Sequence, residues 1–158
     1  MASSLKNLSE YSSKNIIDIS DKNFAIVVSE WNEEVTEALC EGAIETLKQH
    51  GAATDNIYRV DVPGSYELSL GAQKMAEQSE IDAVICIGCV IQGETKHFDF
   101  ICSAVAHGLT DVGLKYGKPV IFGVLTPNTQ QQALDRAGGK HGNKGDEAAI
   151  TAIKMLGI

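Results

Sequence analysis

A chain of 158 residues, 44% of them hydrophobic, is long enough to close a single domain around a real core. A formal net charge of -8 argues against a general nucleic-acid or anionic-membrane binder, and no apolar run reaches membrane-spanning length. The N-terminus, M-A-S-S-L-K-N-L-S-E-Y-S-S-K-N, lacks the apolar stretch of a signal peptide, so a cytoplasmic protein is expected.

Residues 1–15 are polar and Ser-rich and read as a flexible segment, loose or tied to another subunit; the folded domain is expected over 16–158. Ile16, Ile17 and Ile19 are too short a run for a core strand. A strand added to the edge of a neighbouring subunit's sheet would account for them. Phe24 to Ser29, F-A-I-V-V-S, is the first buried strand. Asn32 is placed to cap the helix that follows, with Glu33 and Glu34 complementing its dipole. Val35, Leu39, Ala43 and Leu47 line the core side of that helix, and Gly51 ends it. Trp31, the single tryptophan, falls at the strand's C-terminal end, where a ring-stacking surface competes with a core role.

Ile57 to Val62 forms a second strand and runs into Pro63-Gly64-Ser65-Tyr66-Glu67. Ser65 is placed to cap a helix that turns Leu68, Ala72, Met75 and Ala76 inward. Glu67 either favours the helix dipole or accepts hydrogen bonds from ligand hydroxyls. Ala83 to Ile91 is a Val/Ile-rich run, apolar on both faces, as a central parallel strand requires. Within it, Cys86 and Cys89 make a C-x-x-C. A redox pair belongs at a helix N-terminus, and side chains three apart on a strand leave opposite faces. A zinc site would need a second pair of ligands, and none is evident. Buried small-residue roles are the better account for both.

A polar turn, Gln92-Gly93-Glu94-Thr95-Lys96, leads to His97. Phe98, Ile101, Val105, Leu109 and Val112 then recur at helical spacing, and Lys115 and Gly117 close the helix. Pro119 to Leu125 is the fourth strand. Thr126-Pro127-Asn128 follows, with Pro at a helix-start position, and a short helix reaches Arg136. Arg136, Lys140, His141 and Lys144 are interleaved with Gly138, Gly139, Gly142 and Gly145, a pairing of positive charge and flexible backbone that suits a compact anion. A last helix spans about Lys144 to Leu156.

The β-α-β-α-β-α-β-α-α alternation predicts a single-domain, three-layer α/β fold, a four-stranded parallel sheet of flavodoxin-like type flanked by helices. Trp31, Ser65 to Glu67, Gly93 to His97 and Thr126 all follow strand ends, where α/β sheets bind ligands. The amides and hydroxyl of Gly93-Glu94-Thr95, with Arg136, suit a phosphate. His97 is the candidate general acid/base, and Trp31 a surface for a flat heterocycle. No metal-ligand, cofactor or covalent-nucleophile motif is evident.

Five landmarks in order resemble the lumazine synthase family. They are S-E-W-N-E at Ser29 to Glu33, V-P-G-S-Y-E at Val62 to Glu67, G-C-V-I-Q-G-E-T-K-H-F-D-F at Gly88 to Phe100, P-V-I-F-G-V-L-T at Pro119 to Thr126, and R-A-G-G-K-H-G-N-K-G at Arg136 to Gly145. The resemblance implies a condensation of 5-amino-6-(D-ribitylamino)uracil with 3,4-dihydroxy-2-butanone 4-phosphate to 6,7-dimethyl-8-ribityllumazine, without a cofactor or metal. It assigns general acid/base catalysis to His97 and pyrimidine stacking to Trp31. It gives Ser65, Tyr66 and Glu67 to the ribityl chain, and Val90 and Ile91 to the substrate site. Gly93, Glu94, Thr95 and Arg136 would hold the phosphate, with Lys144 near the substrate and Phe122 closing the pocket from a neighbouring subunit. It further implies a pentamer with the site between adjacent subunits. The short turn at Ala137 to Asn143 resembles members that assemble into sixty-subunit shells, and riboflavin synthase is an implied partner. Two other readings stay open: a flavodoxin-type flavin-binding module, and an archaeal-type riboflavin synthase using two lumazines.

Overall fold

The uninterrupted apolar runs become the two inner strands. Every residue of β1 (Phe24–Ser29) and β3 (Ala83–Cys89) is buried in the computed structural model, which describes residues 16–158. β2 (Ile57–Val62) and β4 (Val120–Leu125) lie outside them, in the order β2-β1-β3-β4, all parallel. This is the expected four-stranded sheet. Edge position explains why β2 alternates with charged residues while β1 and β3 do not: the two inner strands are covered on both faces and flanked on both sides.

Alternate strand residues serve two cores. Ile26, Val28, Ile85 and Ile87 pack with Val35, Leu39, Ala43 and Leu47 of α1 (Glu33–Gln49) and with Ala149 and Ile153 of α5 (Lys144–Met155). Ala25, Val27, Val84 and Cys86 pack with Leu68, Ala72 and Ala76 of α2 (Leu68–Ala76) and with Val105, Leu109 and Val112 of α3 (His97–Tyr116). Fully burying each of the larger side chains contributes about 1.5–3 kcal/mol before entropy is subtracted. Cys86 and Cys89 fall in different cores, and all four cysteines are free. Burial pushes the Cys89 thiol up to about 11 and raises that of Cys86 as well, so neither is a reactive thiolate at neutral pH.

Several local expectations need correction. The segment 1–15 lies outside the described residues. Ile19 is fully buried in this chain's own core, and Ile16 and Ile17 pack partly against it, so the apolarity of Ile19 is satisfied without a neighbouring sheet. Asn32 makes no side-chain cap on α1. Ser65 caps nothing; it opens a single 3-10 turn over Ser65–Glu67 that feeds α2. β3 ends at Cys89, two residues before Ile91, although the Val90 N–H still donates to the Leu125 carbonyl at 2.8 Å. Thr129, not Pro127, starts α4 (Gln130–Leu134): its side chain accepts from the Gln132 N–H at 3.2 Å, while the Gln132 side chain accepts from the Asn128 N–H at 2.9 Å. The glycine-rich basic turn is a small antiparallel hairpin, β5 (Ala137–Gly139) with β6 (Gly142–Asn143), whose reversal uses Gly138 and Gly142 at positive φ. Asn143 then caps α5 by accepting from the Gly145 N–H at 2.8 Å.

Candidate active site

Parallel strands deliver their connecting loops to one end of the sheet, and three of them meet there. Trp31 and Asn32 follow β1, Gly64 to Glu67 follow β2, and Val90 and Ile91 follow β3. With His97 and Ile101 from the start of α3 they line a cavity of about 530 Å³. The sequence reading thus places seven of its site residues on one hollow: Trp31, Ser65, Tyr66, Glu67, Val90, Ile91 and His97. Trp31 is 72% exposed and Tyr66 58%, so two aromatic faces stand free of this chain's core. A core role for Trp31 is excluded.

Ser65 is one of the polar residues lining this hollow. It is buried, yet its Oγ has no hydrogen-bond partner among the described residues. A buried hydroxyl without a partner is costly, and a ligand hydroxyl would satisfy it. His97 is exposed on this chain as the first residue of α3, and its N–H donates to Thr95 Oγ1 at 3.4 Å. Gly93, Glu94 and Thr95 are exposed immediately before it, where free N–H groups and the helix dipole favour an anion. They do not line the cavity itself.

Three expected site residues lie elsewhere. Phe122 and Lys144 line a second cavity of about 770 Å³ between β4, α5 and the end of α3. The two cavities share no lining residue. Lys144 is ion-paired with Glu147, and the two side chains are only 13% and 12% exposed, so its charge is already matched. Arg136 lines neither cavity. It is half-buried beside the hairpin, and its Nη1 donates to the Gln132 carbonyl at 2.9 Å. Its other guanidinium N–H groups have no partner among the described residues, which leaves them for an anion.

Asn32, Gly64, Cys89 and Ile101 also line the first cavity and were missed as site residues. Asn32 was legible in principle. An Asn in the short turn between a strand and a helix tolerates the left-handed backbone found here, and that conformation is incompatible with an ordinary N-cap. Among the described residues, no group of three or more His, Cys, Asp or Glu side chains is placed to hold a metal ion, and no helix is long and apolar enough to cross a membrane.

The family model described as 6,7-dimethyl-8-ribityllumazine synthase matches residues 21–158 of this chain. The chain belongs to that family. Relatives carrying the same name are similar over nearly the whole length. One from Cytophaga hutchinsonii is 65% identical, with 99% of this chain and 98% of the relative aligned. One from Flavobacterium johnsoniae is 56% identical over 100% of this chain and 83% of its own length. A third, from Parabacteroides distasonis, is 54% identical over 99% and 98%. Membership in the lumazine synthase family agrees with the flavodoxin-like sheet and makes the chain a member of an enzyme family of riboflavin biosynthesis.

Proposed function

We propose that this chain condenses 5-amino-6-(D-ribitylamino)uracil with 3,4-dihydroxy-2-butanone 4-phosphate, releasing 6,7-dimethyl-8-ribityllumazine, phosphate and two molecules of water. The observation that carries this reading is one cavity that gathers an exposed indole, a buried orphan hydroxyl and an imidazole: Trp31, Ser65 and His97. The indole suits the flat pyrimidine. Ser65, with Tyr66 and Glu67 beside it, suits the ribityl hydroxyls, and Val90 and Ile91 complete the wall.

Chemistry follows from these placements. The 5-amino nitrogen attacks the ketone carbon, which requires a proton to leave nitrogen and one to reach oxygen. An imidazole titrates near neutrality and moves both, so His97 is assigned as general acid/base. Loss of phosphate requires its charge to be held. Gly93, Glu94 and Thr95 offer amides and a hydroxyl at the α3 N-terminus, and Arg136 offers a guanidinium. Bringing two substrates together supplies much of the acceleration.

The separation of Phe122, Lys144 and Arg136 from the first cavity supports a site completed between two copies of the chain, each lending its β4 side and its hairpin to its neighbour. We therefore propose a pentamer, and, given the short hairpin at 137–143, a sixty-subunit shell able to associate with riboflavin synthase. Four free cysteines suit a reducing cytoplasm. Mixing the purified protein with both substrates and following lumazine fluorescence tests the activity; no product from fresh substrates would overturn it. Light scattering tests the shell, and a stable lone pentamer at neutral pH would overturn that part.

A further inference from the structure

Asn32 has features that starting a helix does not require. Its backbone is left-handed, φ 64° and ψ 46°, and it is the single non-glycine residue with positive φ among the described residues. A side chain with a Cβ is disfavoured there, Asn least of all, and such residues concentrate at functional sites. The turn directs its side chain away from α1 and across the sheet end, where Nδ2 donates to the Cys89 carbonyl at 2.8 Å. Its own carbonyl accepts from the Val35 N–H at 2.9 Å and the Thr36 N–H at 3.1 Å. The adjacent Trp31 carbonyl accepts from the buried Ser29 Oγ at 3.4 Å.

Trp31 is therefore held on both sides through its backbone, although its indole packs into no core. Cys89 is the last residue of β3, and the next two, Val90 and Ile91, line the same cavity as Trp31. The Asn32–Cys89 hydrogen bond joins the wall that carries the indole to the wall that carries Val90 and Ile91. We infer that Asn32 is a positioning residue. Its left-handed turn and its amide tether set Trp31 at the spacing from Val90 and Ile91 that admits a pyrimidine ring. This rests on the reading that Trp31 stacks that ring.

The test uses the assembled full chain with Asn32→Gly, Asn32→Asp and a Trp31→Ala control. Asn32→Gly keeps the left-handed turn and deletes the tether. It is expected to raise KM for the pyrimidine diamine about fivefold, the equivalent of one lost hydrogen bond, with kcat and KM for the phosphorylated ketone within about twofold. Because Trp31 is the only tryptophan, its fluorescence reports directly: anisotropy falls and acrylamide quenching rises. Asn32→Asp keeps shape and turn but sets a carboxylate oxygen against the Cys89 carbonyl; it moves the same readouts further.

Wild-type KM and wild-type anisotropy in both variants would overturn the inference. So would an equal loss in every kinetic parameter with Trp31 unchanged, or failure of both variants to fold, each of which makes Asn32 merely structural. If one variant does not fold, the other decides by the same readouts. A wild-type KM in Trp31→Ala sinks the stacking reading instead, and a raised KM there beside a wild-type Asn32→Gly sinks the positioning role alone.

Discussion

Gly88 and Ser65 occupy one space: a Cβ added to Gly88 would stand 2.7 Å from the Ser65 Oγ and 2.9 Å from Leu68 Cδ1. The missing side chain in β3 is what lets a hydroxyl sit buried in the cavity lining. Gly88→Ala is expected to destabilise the fold by about 1–3 kcal/mol through overpacking and to raise KM for the pyrimidine by displacing Ser65. Chemical denaturation and steady-state kinetics check both; an unchanged denaturation midpoint would show that α2 yields freely.

His97 touches the cavity but supports no part of the core, so its removal should leave the fold intact. His97→Ala is expected to lower kcat by about a hundredfold or more while sparing the affinity for both substrates. Rapid-mixing kinetics, with Trp31 fluorescence as the binding signal, separate the two effects. A matching loss of affinity would assign His97 to binding instead.

Arg136 keeps one N–H on the Gln132 carbonyl and its remaining donors uncommitted. Arg136→Ala is expected to raise KM for the phosphorylated substrate about ten- to a hundredfold, the range of one or two hydrogen bonds to a charged group. KM for the pyrimidine should stay at its wild-type value. Unchanged use of the phosphorylated substrate would refute the assignment.

Arg59 links two elements, donating from Nη1 to Glu37 on α1 at 2.8 Å and from Nε to Asp61 on β2 at 2.9 Å. Hydrogen bonding from this guanidinium holds the Glu37 carboxyl below its ordinary value of 4.5. A depressed folded value means that the stabilisation is present above 4.5 and is lost as pH falls through the folded value. Arg59→Gln should therefore weaken the fold at neutral pH and make little difference in strong acid. With side chains 38% and 36% exposed, solvent screens the pair, and the neutral-pH loss should be no more than about 1 kcal/mol. Urea midpoints of wild type and variant at the two pH values check the sign; a gap that widens in acid would contradict it.

The inner strands were legible because burial on both faces leaves one composition, the Val/Ile run of Ala83–Cys89. The helix faces were legible because Val35, Leu39, Ala43 and Leu47 repeat at the helical period. Local choices between similar polar groups were not. Asn32 and Ser65 have the chemistry of caps, and only the tertiary approach of Cys89 and Gly88 turns them to other tasks. Pro127 and Thr129 are both credible helix starts, and the reciprocal bond from Gln132 decides between them. The reversal over 137–143 was legible from its glycines, but the β5–β6 pairing was not, because its strands are short, with no alternation to read. For the site, chain order correctly grouped the residues at three strand ends. It gave no sign that Phe122 and Lys144 face a different hollow, which only the resemblance hinted at for Phe122, because which face of edge strand β4 is left open beside α5 is settled only in three dimensions.

The disjoint cavities have a genetic corollary. If a ring of copies forms each catalytic centre from the first hollow of one protomer and the β4 flank and hairpin of the next, two impaired mutants can rescue each other. Chains carrying His97→Ala and chains carrying Arg136→Ala, co-assembled at random in equal amounts, would regenerate about one unblemished centre in four, since each seam draws its halves independently. A mixture more active than either parent at low phosphorylated substrate would be the signature of catalysis owned by the seam and not by the chain.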